Sequence, residues 1–156
     1  MTIRIWRVCP AETGECAYDG NGALKEPGRW HEKGTRIVYA SGSLALASLE
    51  FFVGLDGRPS GELVGVPAEL PGGLIETLDE SVLPEGWRRA PAPEEARKIG
   101  TEWVESGRGA VLAVPSELVA HELNYLLNPA HPEFRHIRIF PPEPFDYDER
   151  MWKARC

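Results

Sequence analysis

From Ser41 through Leu55 this chain carries one charged side chain, Glu50. Ser41 and Ser43 are residue types that cap helix N-termini, and Leu44, Ala45, Leu46, Ala47 and Leu49 are mostly strong helix formers. A helix is therefore predicted over Ser43 to Val53. A helix that is apolar on every side is normally buried. A lone carboxylate inside it is costly unless something pairs with it or hydrogen-bonds to it. Two readings stay open. Glu50 forms a structural ion pair with Lys25, Arg29, Lys33 or Arg36, or it is a pocket carboxylate facing a bound ligand.

At 156 residues and 42% hydrophobic content, the chain is expected to be one domain, residues 1–156. Its net charge of -7 argues against a dedicated nucleic-acid or anionic-membrane binder. No apolar run is long enough to cross a bilayer, and the N-terminus lacks a signal-peptide core, so a cytoplasmic location is expected. Cys9, Cys16 and Cys156 form no C-x-x-C and have no histidine at metal-ligand spacing; Cys9 and Cys16 could meet, but in a reducing compartment free thiols are expected. Fourteen prolines and sixteen glycines imply many turns and few long helices.

Along the chain, Ile3, Ile5 and Val8 alternate with Arg4 and Arg7 as in an opening strand, with Trp6 and Arg7 near its end. Residues Pro10 to Pro27 read as a loop that could lie across a site. Ile37 to Ala40 is a short strand carrying Tyr39, and Arg29 sits in the polar turn before it. Strands are predicted over Glu62 to Glu69, Leu74 to Leu78, Ala110 to Val114 and Phe134 to Phe140. Asp79 to Pro93 reads as an irregular connection packed by Trp87. A helix is predicted from Pro93 to about Ser106, opened by proline and acidic residues and presenting Ala96, Ile99, Trp103 and Val104 on one face. Glu117 to Leu127 is predicted to be partly helical. Strictly alternating β-α units are absent, so a mixed α+β domain is expected and a doubly wound parallel sheet is not.

The familiar chemical signatures are missing: no phosphate loop, no G-x-G-x-x-G, no H-E-x-x-H and no G-x-S-x-G. His31, His121, His131 and His136 do not show metal-ligand spacing. Phosphates, if bound, must be held by arginines and main-chain N–H groups, with Arg7 and Arg29 the candidates. Arg29 could equally be a surface turn residue, Tyr39 a core tyrosine, and Ser116 an N-cap. Taken together they are more informative: an arginine for diphosphate, an aromatic ring for stacking and a sheltered carboxylate. These are the parts needed to cleave a ribose–nicotinamide bond, whose transition state resembles an oxocarbenium ion.

The motifs G-R-W-H at Gly28 to His31, V-Y-A-S at Val38 to Ser41 and L-A-S-L-E ending at Glu50 resemble the RES domain, the toxin half of RES–Xre toxin–antitoxin pairs. V-P-S-E-L, N-Y-L-L-N-P, H-P-E-F and the F-D-Y-D-E-R-M-W tail agree, in order, over nearly the whole chain. The resemblance implies an α+β fold like that of ADP-ribosyltransferases, built on a split mixed β-sheet flanked by a few helices. It implies an enzyme with NAD+ as substrate, no resident cofactor or metal, and inorganic phosphate as a conceivable co-substrate. It assigns catalytic roles to Arg29, Tyr39, Glu50 and Ser116, and substrate binding to Arg7, Gly28 and Asn128. Many relatives carry asparagine after G-R-W, where this chain has His31. The resemblance further implies an Xre-family helix-turn-helix antitoxin in a hetero-oligomeric complex, with no direct nucleic-acid contact by the toxin. Transfer of ADP-ribose to a protein, and a non-catalytic nucleotide- or antitoxin-binding module, are the alternatives.

Overall fold

In the computed structural model, which describes residues 1–153, the longest ladder pairs two nine-residue strands. These are β1 (Thr2–Pro10) and, later in the chain, β3 (Leu63–Pro71), antiparallel over their whole length. Between them come β2 (Val38–Ser41) and helix α1 (Leu44–Val53). Then follow β4 (Ile75–Thr77), helix α2 (Glu94–Ser106), β5 (Val111–Pro115), β6 (Leu123–Leu127), β7 (Arg138–Ile139) and β8 (Glu143–Phe145). The strands form one sheet in the order β4-β5-β6-β2-β1-β3-β7, with β8 also on β3. Among the described residues only β4 and β5 pair in parallel, so the sheet is mixed.

The sheet is split. β2 pairs fully with β6, but it meets β1 only where Trp6 lies opposite Ser41. Two arms diverge from that point. Alternation along β2 sends its residues to two separate cores. Val38 and Ala40 join Ile5, Val66, Ala68 and Leu127 on one face, which the segment through Tyr18 covers. Ile37 and Tyr39 pack with Trp30, Trp103, Leu112 and Leu126 on the other, under α2. Helix α1 packs on β1 and β2, beside the split.

Local structure follows the residues. The Ser43 side chain accepts the Leu46 N–H and caps α1. Pro93 precedes α2, and Gly107, with φ of 64°, ends it in the left-handed conformation that glycine adopts freely. Cys9 and Cys16 are unpaired, as expected, and Cys156 lies outside the described residues.

Four expectations need correction. Residues 117–121 form a turn, not helix, and β6 follows; His121 takes a left-handed φ of 71°, uncommon for any residue but glycine. Most of Phe134 to Phe140 is not strand, because Pro132 opens a 3-10 turn over Pro132–His136 that leaves β7 two residues. Residues 11–24 contain two 3-10 turns, Ala11–Cys16 and Asn21–Leu24, packed by Tyr18, whose hydroxyl donates to the Val66 carbonyl. Trp6 and Arg7 lie in the middle of β1, not near its end.

Helix α1 is also less enclosed than its apolar sequence suggests. Leu46 and Ala47 are buried, whereas Leu49 and Val53 are exposed. One face rests on the sheet, and the C-terminal tail covers another. There Phe52 stacks among Tyr147 and Trp152, and the Tyr147 hydroxyl donates to the Ser48 carbonyl. This strap fixes the turn of α1 that carries Glu50.

Candidate active site

A cavity of about 340 Å³ opens where the two arms separate. Arg7, Gly28, Arg29, Tyr39 and Glu50, distant in sequence, all line it, together with Asn124 and Glu117. Glu50 reaches it from α1, Tyr39 from β2, and Arg29 from the turn before β2.

Glu50 has no cation within ion-pair distance among the described residues, so the ion-pair reading of it falls. Its carboxylate is held by neutral donors instead. Asn124 Nδ2 donates to Oε1 at 2.6 Å, and Ser116 Oγ donates to the same atom at 3.2 Å. The register of β2 and β6 puts Ser41 opposite Asn124, and Ser41 Oγ donates to Asn124 Oδ1 at 2.7 Å. That bond occupies the amide oxygen and turns the amide nitrogen toward Glu50. Burial raises the Glu50 pKa, and the nearby Glu117 charge raises it further; the Asn124 and Ser116 hydrogen bonds and the Arg29 charge pull it back. The result is a half-buried carboxylate with one oxygen tethered and nothing positive neutralising it.

Arg29 is engaged elsewhere. Its Nη1 donates to the carbonyls of Trp87 and Arg89, and its Nε faces Glu117 Oε1 at 3.3 Å without the alignment of a hydrogen bond. The guanidinium is thus held on one edge and imperfectly matched on the other. Arg7 bridges the split: its Nη1 donates to the Tyr39 carbonyl, which β1 no longer reaches as a ladder partner. Its Nε is buried without a partner, and burial lowers its pKa. Two arginines line one cavity, an arrangement suited to an anionic ligand.

Gly28 belongs there because of close approach. A Cβ at this position would lie 2.7 Å from the Tyr39 hydroxyl and 2.8 Å from His31 Cε1. Ser116 is buried behind Glu50 and does not line the cavity; it also accepts the N–H groups of Leu118 and Val119, so it is both a turn cap and a Glu50 donor. Asn128 is not brought to the site. Its side chain accepts the Ala130 N–H, and its own N–H donates to Ala110, which makes it a turn residue after β6. The asparagine of N-Y-L-L-N-P that reaches the site is Asn124. A helical reading of that segment hides this, since only strand register sets Asn124 opposite Ser41. Glu117, directly after Ser116 in V-P-S-E-L, also lines the cavity, and nothing but that motif marks it out in the sequence. Among the described residues no cluster of three or more His, Cys, Asp or Glu side chains could hold a metal ion.

A model of the RES domain family matches residues 4–148. The chain belongs to the RES domain family. Relatives extend over the whole length. The "Prs ADP-ribosylating toxin" of Sphingobium sp. (strain YBL2) is 39% identical, covering 97% of this chain and 98% of that one. A "Toxin Res" of Yersinia enterocolitica is 38% identical, covering 96% and 99%. The fold is also similar to a chain in the crystal structure of the M. tuberculosis MbcT-MbcA toxin-antitoxin complex. That match has a TM-score of 0.71 at 11% identity and covers 93% of this chain and 85% of the other. The α+β fold with a split mixed sheet, expected from the RES motifs, is the fold observed.

Proposed function

We propose that this RES domain is the toxin of a toxin–antitoxin pair and consumes NAD+ by breaking the nicotinamide–ribose bond. The observation that carries the reading is Glu50: a cavity carboxylate without a counter-ion, tethered by Asn124 and Ser116 and flanked by Arg29 and Tyr39. Nicotinamide leaves as a neutral ring and takes the bonding electron pair, so no acid is needed to protonate it. What the reaction needs is an anion beside the ribose as positive charge develops there, and Glu50 supplies it. Arg29 binds the diphosphate, with Arg7 as the second cation, and the Tyr39 ring stacks on nicotinamide or the adjoining ribose. Asn124 and Ser116 orient Glu50. No resident cofactor takes part.

Incubating the purified protein with NAD+, with and without inorganic phosphate, and following free nicotinamide tests this directly. Release in phosphate-free buffer supports hydrolysis, and release only with phosphate supports phosphorolysis. No release at all refutes the reading and favours a binding module. The name of the Sphingobium relative favours a second reading, transfer of ADP-ribose to a protein. Radiolabelled NAD+ separates the two, because transfer leaves the label on protein. The toxin–antitoxin complex of the structural neighbour supports an antitoxin partner here. An Xre-type helix-turn-helix protein, expressed together with this chain, is expected to copurify with it.

Arg29→Ala is expected to raise KM for NAD+ about tenfold to a hundredfold, the loss of a charge-assisted contact, with kcat changed little. Steady-state kinetics checks this, and an unchanged KM removes Arg29 from the substrate site.

A further inference from the structure

The Tyr39 hydroxyl is engaged in a way that ring stacking does not require. Tyr39 Oη accepts the Trp30 N–H at 3.0 Å and lies 2.6 Å from His31 Nδ1. His31 Nε2 lies 2.8 Å from the Glu26 carbonyl and 3.1 Å from the Ala23 carbonyl. Carbonyls only accept, so Nε2 carries hydrogen. In the neutral ring Nδ1 is then an acceptor, and the Tyr39 hydroxyl donates to it. Burial favours that neutral ring; the bonds to the Glu26 and Ala23 carbonyls pull the other way, the Arg97 charge adds to the burial, and the net direction is toward the neutral form. The phenolic hydrogen is therefore committed to His31, and one lone pair to Trp30.

Both bonds end on the turn that carries Arg29. Trp30 and His31 follow Arg29 directly, and Gly28 before it approaches Tyr39 so closely that a Cβ would collide with the hydroxyl. Trp30 is fully buried and His31 nearly so. The turn is thus drawn onto β2 through one oxygen atom.

We infer that the Tyr39 hydroxyl and His31 form a clamp that holds the Gly28–His31 turn, and with it the Arg29 guanidinium, in register with the cavity. Both act as positioning residues, and Tyr39 meets the ligand through its ring alone. The inference rests on the proposed reading that Arg29 binds the phosphates of NAD+. His31 is the new element: a buried histidine with no role in the chemistry, whose neutral tautomer fixes where the tyrosine hydrogen points.

A double-mutant cycle tests the clamp. Tyr39→Phe keeps the ring and removes the bridge. It is expected to lower kcat/KM for NAD+ about tenfold, mostly through KM. In an Arg29→Ala background the same change is expected to cost less than about twofold, because the clamp then has nothing to position. His31→Asn, whose side chain retains an acceptor near the Nδ1 position but not the Nε2 donor, is expected to lose less kcat/KM than His31→Leu. His31→Leu is expected to match Tyr39→Phe; if it does not fold, the tyrosine variant still decides. A readout independent of activity is amide exchange at Trp30, expected to quicken about tenfold in Tyr39→Phe and less in His31→Asn. Additive losses in the cycle, a large fall in kcat at constant KM, or unaltered Trp30 exchange would each overturn the clamp. Absence of nicotinamide release by the wild type refutes the NAD+ reading instead, and Trp30 exchange then decides the clamp by itself.

Discussion

Glu50→Gln is expected to lower kcat for NAD+ cleavage by about two to three orders of magnitude, the usual loss when one electrostatic stabiliser of a transition state is removed. KM should change little, since the charge acts mainly as the bond breaks. The same substitution is expected to stabilise the fold. Glutamine keeps an oxygen that accepts from Asn124 and Ser116, and it needs no hydration for a charge. The raised pKa of Glu50 means that the folded protein favours the protonated form. The stability linked to that form is complete below the unfolded carboxylate value, near pH 4, and is lost as pH rises through the higher folded value. At neutral pH the wild type therefore carries a destabilising charge that the variant lacks. Tm at pH 7 is therefore expected to rise. The difference should vanish near pH 4. Thermal unfolding at the two pH values, beside the kinetics, checks both halves. A variant that loses activity and also melts earlier at pH 7 would show that the charge holds the fold together. In the wild type, kcat/KM should fall on acidification as Glu50 of the free enzyme takes up a proton, at a pH shifted upward from its ordinary value.

Gly100→Ala is expected to have the largest effect on stability. In an isolated helix alanine would be the better residue by about 1 kcal/mol. Here the backbone of α2 rests directly on the turn before β2. A Cβ at Gly100 would overlap the Trp30 carbonyl oxygen and lie 2.9 Å from the carbonyl carbon. These are backbone atoms in a buried turn, so no rotamer change relieves the overlap. The next residue locks the same contact, with Thr101 Oγ1 accepting the Glu32 N–H at 2.9 Å. Overpacking of this kind costs about 3 kcal/mol, which lowers Tm by about 6–12 °C. Because the displaced turn carries Arg29, KM for NAD+ should rise as well. Calorimetry and kinetics on the variant test this together; an unchanged Tm would show that α2 moves freely over the turn.

Some of this was legible in the residues and some was not. Helix α1 was readable because Ser43 and a run of strong helix formers speak to one another within a few residues. So was α2, bounded by Pro93 and Gly107. The hairpin leading to β6 was not, because it depends on His121 in a left-handed conformation that no glycine announces. The strand after that turn sets Asn124 opposite Ser41 and so brings it to Glu50. Nor did an apolar α1 sequence mean burial on all sides: Val53 faces solvent, and the aromatic tail covers only part of the helix.

What the amino-acid order determined unaided was which groups this protein has to work with: an isolated carboxylate on a capped helix, an arginine beside tryptophan, a tyrosine on a short strand, and the RES motifs that join them. These signals are local and survive without a fold. What only the tertiary structure decided was who partners whom. Arg29 faces Glu117, and Glu50 is left to two neutral donors, because the register of β2 with β6 and the split from β1 set those distances. Charge pairing depends on separations of a few ångströms between residues far apart in the chain, and local sequence carries no record of them.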